Sequence, residues 1–229
     1  MTTQKLRRKS AASINNSRWA AYVTAGAATA IAGVGSAEAD IHYSGPINQF
    51  FNAPPGSSTH QAFNLAPGAS FIPLHAATTS GLEGIAAIGF RGAISAAFNG
   101  FTSGYAYVSR LAAGQNPATH PFINSAGGFF PGYGTLAFRG GYGNDQWLDA
   151  GGGFVGFRFN TGAGVQYGWV RLTMNGSPLN SFTLVDFAWG DFGDQVLTGQ
   201  IPEPGPLALL AVGAAGLLLW RKRRSQAAA

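Results

Sequence analysis

The hydrophobic pattern is clearest between residues 154 and 189. Phe154-Val155-Gly156-Phe157-Arg158-Phe159 reads as a strand, with Phe154, Gly156 and Arg158 on one face and Val155, Phe157 and Phe159 on the other. A glycine-containing turn, Asn160 to Gly164, leads into a second strand, Val165 to Met174. That strand sets Val165, Tyr167, Trp169 and Arg171 against Gln166, Gly168, Val170, Leu172 and Met174. Asn175-Gly176 marks the next tight turn, and Phe182 to Trp189 a third strand. Both faces of this antiparallel meander are apolar, so both are expected to be covered, as inside a sandwich.

Upstream the pattern is less decisive and its apolar runs are shorter. Ile41 to Tyr43, Gln61 to Leu65, Ser70 to Leu74, Ile85 to Phe90 and Tyr105 to Leu111 suit short strands. Loops fall at Pro54-Pro55-Gly56-Ser57-Ser58, Asn116-Pro117 and Gly127-Gly128. The alanines Ala86, Ala87, Ala93, Ala96 and Ala97 leave room for a short helix within Gly81 to Phe98. The expected fold is all-β: a single β-sandwich over residues 40–200, a jelly roll being one form of it, with no internal repeat.

The two ends follow another rule. Lys5, Arg7, Arg8, Lys9 and Arg18 precede an uncharged run from Trp19 to Gly35, and Ala37-Glu38-Ala39 has the small-x-small form of a signal-peptidase site. Residues 1–39 therefore read as a signal peptide whose removal leaves Asp40 first. Arg7-Arg8 also suits the twin-arginine route, but Lys9-Ser10-Ala11 follows the pair, which favours general secretion. At the other end, Pro202-Glu203-Pro204 precedes an uncharged segment, Gly205 to Trp220, and then Arg221-Lys222-Arg223-Arg224. Sixteen helical residues reach about 24 Å, short of the usual hydrocarbon core of about 30 Å. Trp220 suits the interface and the four cations suit the cytoplasmic side, so this is expected to be a single transmembrane helix with its stop signal.

The order tripeptide, apolar run, basic cluster resembles the PEP-CTERM sorting tail of exported bacterial proteins. The resemblance implies that residues 201–229 are an address in which Pro202, Glu203 and Pro204 are read by an exosortase-type membrane peptidase. It also implies passage through the inner membrane to the cell surface or extracellular space, in systems that go with exopolysaccharide. Phe154-Val-Gly-Phe-Arg-Phe, Tyr167-Gly-Trp-Val-Arg-Leu and Val185-Asp-Phe-Ala-Trp likewise resemble the last strands of an uncharacterised β-rich domain of such proteins, which brings no chemistry with it.

This division changes the meaning of the charge. The chain of 229 residues carries a formal +5 with 14 cations, but five of these precede residue 19 and four follow residue 220. Between Asp40 and Gln200, five arginines (91, 110, 139, 158 and 171) face seven acids, a formal −2. A nucleic-acid partner is excluded on that ground, since no basic patch is left to meet phosphates. The absence of cysteine excludes disulfides, thiol catalysis and iron–sulfur ligation.

Four patterns suggest chemistry, each beside a plainer reading. Gly151-x-Gly153-x-x-Gly156 spells a dinucleotide fingerprint, but a strand follows where a helix is required, so a glycine-rich loop or bulge is expected and no cofactor. Asn144, Asp145 and Asp149, or Asp186, Asp191 and Asp194, could offer oxygens to calcium, yet no EF-hand spacing exists and turn or surface roles are expected. His42, His60, His75 and His120 form no metal motif, and no nucleophile elbow is present, so neither a metal nor an enzyme is expected. Tyr133, Tyr142, Trp147, Tyr167, Trp169 and Trp189 are expected mostly in the core, the alternative being a lectin-like, sugar-stacking face. The overall expectation is an exported structural or interaction protein, processed by signal peptidase and exosortase.

Overall fold

The computed structural model describes residues 40–91, 94–102, 104–124, 133–141 and 145–202, together with 213, 214, 216, 220, 223 and 226. One compact unit spans Ala39–Glu203. Its described residues form thirteen strands: β1 (Ile41–Tyr43), β2 (Gln49–Phe51), β3 (Ser58–His60), β4 (Phe63–Ala66), β5 (Ala69–Ala77), β6 (Gly84–Arg91), β7 (Ile94–Thr102), β8 (Tyr105–Val108), β9 (Phe122–Asn124), β10 (Tyr133–Phe138), β11 (Gly151–Phe159), β12 (Gln166–Met174) and β13 (Phe182–Gly190). The described tail residues, among them Gly213, Trp220 and Arg223, are helical. Among the described residues no helix is long and apolar enough to cross a membrane. The leader, Glu203, Pro204 and most of 205–224 lie outside the described residues.

The strands make two sheets that share β7. The first runs β1-β13-β12-β11-β7, with β2 added on β13 and β9 on β7; the second runs β7-β8-β10-β6-β5-β3, with β4 on β5. Residues 94–96 of β7 pair with β11, and residues 98–102 pair with β8, so a single strand passes from one sheet to the other. Consecutive strands pair at β11-β12-β13, β7-β8 and β4-β5-β6, and the remaining pairs, such as β1 with β13, β11 with β7 and β10 with β6, join strands distant in sequence. The segment from Gly81 to Phe98, where alanines allowed a helix, is instead β6 and the start of β7. Its alanines are small enough to be buried there: Ala86 and Ala87 are covered between the flanking strands β5 and β10. Burial overrides the helix preference of alanine.

The alternating faces read in β11 and β12 are realised. Val155, Phe157 and Phe159, with Val170, Leu172 and Met174, enter the main core beside Phe71, Ile88 and Leu136 of the second sheet. Phe154 and Trp169 point to the other face and pack with Ile41, Leu111, Ala188 and Val196 in a smaller cluster. The first sheet is therefore covered on both sides. In β13 a register shift opposite Arg171 and Leu172 inserts one residue. It lets Phe182 and Leu184 on one side of the shift, and Phe187 on the other, all face the main core.

Glycine makes room for these rings. Phe157 lies directly opposite Gly168 in the β11–β12 ladder, and a Cβ on Gly168 would fall 2.5 Å from the ring. Tyr133 covers Gly89 across β10 and β6 in the same way. A side chain at either glycine would lift the aromatic off the sheet.

His75 is a buried polar group that joins three segments. It is 1% exposed on β5; its Nδ1 accepts from the Ala53 amide at 2.8 Å, and Nε2 donates to the Leu179 carbonyl at 2.7 Å. These partners fix the neutral tautomer protonated at Nε2. Burial lowers the pKa below its ordinary 6.5, against the opposing pull of the Leu179 carbonyl. Because the unfolded chain binds the proton more readily, the contribution of His75 is present above pH about 6.5 and lost as pH falls through the lowered folded value. Thermal unfolding measured from pH 7 to pH 5 is expected to show a fall in Tm that His75→Gln, which keeps a donor and an acceptor, reduces. An unchanged slope in that variant would remove His75 as its cause.

Candidate functional site

The turn that leaves β13 gathers the most polar groups. Asp191 lies opposite Asp40 across the ladder, and its amide donates to the Asp40 carbonyl at 3.3 Å. Gly193, at φ +92°, allows the tight turn in which the Asp194 amide donates to the Asp191 carbonyl at 3.1 Å. Asp194 Oδ2 in turn accepts from the Asp40 backbone N–H at 2.8 Å. His42 stacks on Trp189 with ring centres 5.0 Å apart, and its Nε2 is 2.9 Å from Asp191 Oδ1. Oxygens of Asp40 and Asp191 and a ring nitrogen of His42 lie within 4.8 Å of one another, all three residues exposed. Sequence spacing gave no hint of this group, because His42 and Asp191 are 149 positions apart.

Beside it runs an open groove of about 460 Å³, bordered by Asn116, Tyr167, Phe192, Asp194 and Gln195. Phe192 is 64% exposed and lies over Gly164, where a φ of +128° and the overlying ring leave no room for a side chain. Tyr167 packs against Phe122, over which the Arg158 guanidinium sits at 4.7 Å. The groove thus offers one exposed ring, a second ring on its wall, and amide and carboxylate groups.

The other expected site residues are placed differently. Of the six aromatics weighed as a sugar-stacking face, Trp147 and Trp169 are fully buried, Tyr142 lies outside the described residues, and Tyr167 alone lines the groove. Gly151, Gly153 and Gly156 belong to β11 itself, paired throughout with β12, and so form neither a loop nor a phosphate cradle. Gly153 is flat against Arg110 and Trp147. Asp145 caps the chain, accepting from the amides of Phe138 at 2.9 Å and Trp147 at 3.2 Å. Burial pushes its pKa up to about 6, against the lowering effect of those two amides. Asp186, expected in a turn or on the surface, is completely buried in β13. Its carboxylate receives both Arg171 Nε, at 2.8 Å, and the Arg171 terminal nitrogen, and also the Tyr43 hydroxyl at 2.8 Å. That saturation removes it from the set of free calcium ligands.

These features define a two-sheet, all-β domain with a polar turn and a shallow groove, and no catalytic constellation is apparent among its described residues. Residues 200–224 match the family model of the PEP-CTERM protein-sorting motif. The chain carries that motif, which implies export, membrane-associated sorting and processing by an exosortase. Nothing matches among curated proteins or solved structures.

The Arg171–Asp186 pair gives a direct test of this domain's polar framework. Arg171→Met leaves a buried carboxylate with Tyr43 alone and is expected to cost about 3 kcal/mol in urea unfolding. Adding Asp186→Leu is expected to recover most of that loss. A double variant no more stable than the single one would show that the pair does not act as a unit.

Proposed function

We propose that the chain is an exported protein of the cell surface or extracellular matrix, with a structural or interaction role and not a catalytic one. The PEP-CTERM match over residues 200–224 carries this reading. In it, signal peptidase cuts after Ala39, the segment Gly205 to Trp220 holds the chain transiently in the inner membrane, and Arg221, Lys222, Arg223 and Arg224 stop transfer. Pro202, Glu203 and Pro204 are then the residues an exosortase reads. The charge pattern supports the topology, since nine of 14 cations lie in the two terminal segments. A non-catalytic role is supported by how the polar groups of the domain are used: His75, Asp145, Arg171 and Asp186 each hold the fold through the contacts described above.

A second reading, a lectin-like domain that binds exopolysaccharide, is supported by the groove. Sugars are recognised by a ring face together with amide and carboxylate groups, and Phe192, Tyr167, Gln195 and Asp194 supply that mixture.

Sorting is tested in the native host by following surface display. Glu203→Ala, or deletion from Pro202 onward, is expected to leave the protein misdirected, and unchanged display would contradict the assignment. For the groove, a glycan array probed with the exported protein is expected to give signals that Phe192→Ala abolishes. Empty arrays, or signals indifferent to Phe192, would reject the lectin reading.

A further inference from the structure

We propose that removal of the leader after Ala39 creates a copper(II)- or nickel(II)-binding site at the new amino terminus, formed by the Asp40 α-amine with the side chains of Asp40, His42 and Asp191. The inference rests on the reading of residues 1–39 as a cleaved leader.

Three of the four donors are already assembled. Strand alternation sends Ile41 into the smaller apolar cluster, so Asp40 and His42 share the opposite face of β1. The ladder then sets Trp189 opposite His42, and the turn brings Asp191 level with Asp40. Stacking on Trp189 holds the imidazole, and Ile41, only 9% exposed, anchors the backbone between the two donors. His42 Nε2 and Asp191 Oδ1 stand 2.9 Å apart. Two neighbouring donors at right angles around a metal with bonds of about 2.0 Å are separated by about 2.8 Å, so the pair fits one edge of a tetragonal site.

Cleavage supplies the fourth donor. In the uncut chain the Asp40 nitrogen is a peptide amide, with no lone pair to offer and its hydrogen donated to Asp194 at 2.8 Å. Hydrolysis of the Ala39–Asp40 bond adds water across it, leaving the Ala39 carboxylate on the leader and a primary amine on Asp40. That amine and the carboxylate of the same residue can chelate one ion. Two nitrogens and two oxygens in a mixed set favour copper(II) or nickel(II), and copper(II) binds most tightly of the divalent first-row ions. Both nitrogens must be unprotonated to ligate, so binding strengthens as pH rises. Asp194 keeps a distinct part: its carboxylate holds the amine in place until the metal arrives.

The experiment uses the full chain exported and processed by its host. Mass spectrometry of the amino terminus first establishes whether it begins at Asp40; another start overturns the leader boundary, and the site with it. On protein that does begin at Asp40, titration with copper(II) at pH 7.5, followed by calorimetry and electron paramagnetic resonance, is expected to show one ion with mixed nitrogen and oxygen ligation. His42→Ala, or acetylation of the amine, is expected to abolish that complex, and Asp191→Asn to weaken it roughly 10–100-fold. Equal binding by His42→Ala or by the acetylated protein would overturn the site. Binding that requires His42 but ignores Asp191→Asn would also overturn it, because the first three residues would then be wrapping the ion through their own backbone amides, away from β13.

Discussion

The domain depends on Phe71. This ring projects from β5 in the second sheet and meets Phe157 of β11 at 6.3 Å, nearly parallel, and Phe187 of β13 at 5.0 Å, edge to face. Together with Phe63, which also meets Phe187 at 6.1 Å, it ties the two sheets across the core, and its neighbours are fixed in turn. Phe157 is pressed on Gly168, Phe63 covers Phe71 from β4 at 5.3 Å, and Phe187 can face inward only because β13 gains a residue opposite Arg171 and Leu172. Such ring contacts add about 0.5–1.5 kcal/mol each beyond the area they bury. They also demand flat partners, which accounts for glycine in the middle of strands where it would otherwise be unfavourable.

Against this apolar centre, the buried polar groups choose one arrangement among several that would bury the same rings. Asn180, fully buried with φ +53°, donates from its amide to the carbonyls of Gly84 at 2.9 Å and Arg139 at 2.8 Å. The Gly84 amide in turn donates to the Pro178 carbonyl at 2.8 Å. With His75 reaching Leu179, the loop before β13, part of the first sheet, is thereby locked to the start of β6 in the second. A slipped register would bury these donors and acceptors without partners, at about 1–3 kcal/mol apiece. The rings supply attraction between the sheets, and this loop supplies the alignment.

The sequence made the local parts legible and left the distant ones hidden. The three last strands were readable because a period of two survives in Phe154 to Phe159 and Gln166 to Met174, and because Asn175-Gly176 announces a turn. The segment around Ala86 and Ala96 was ambiguous, since alanine carries little periodic signal and strand identity there comes from neighbours far away in sequence. Burial of Asp186 could not be read either: its partner Arg171 was visible as a strand residue, but only the inserted residue in β13 brings the two opposite each other. The polar turn was hidden for a similar reason, since it joins the first strand to the chain after the last.

That closure has a consequence for how the address and the domain coexist. The final well-anchored residue is Thr198, 2% exposed, whose hydroxyl donates to the Ala112 carbonyl at 2.6 Å and accepts from the Gln115 amide at 2.9 Å. At the other end Ile41 is packed against Val196 and Ala188. The matched sorting motif begins at residue 200, two positions beyond Thr198, and the small-x-small pattern ends one position before Asp40. Both expected processing points thus lie just outside the outermost residues that the core holds. Cutting at either would remove no side chain from the apolar clusters and no member of the β ladders. A domain so bounded would keep its fold if both ends were cut, and the charge lost with those ends would be the charge that makes the whole chain basic.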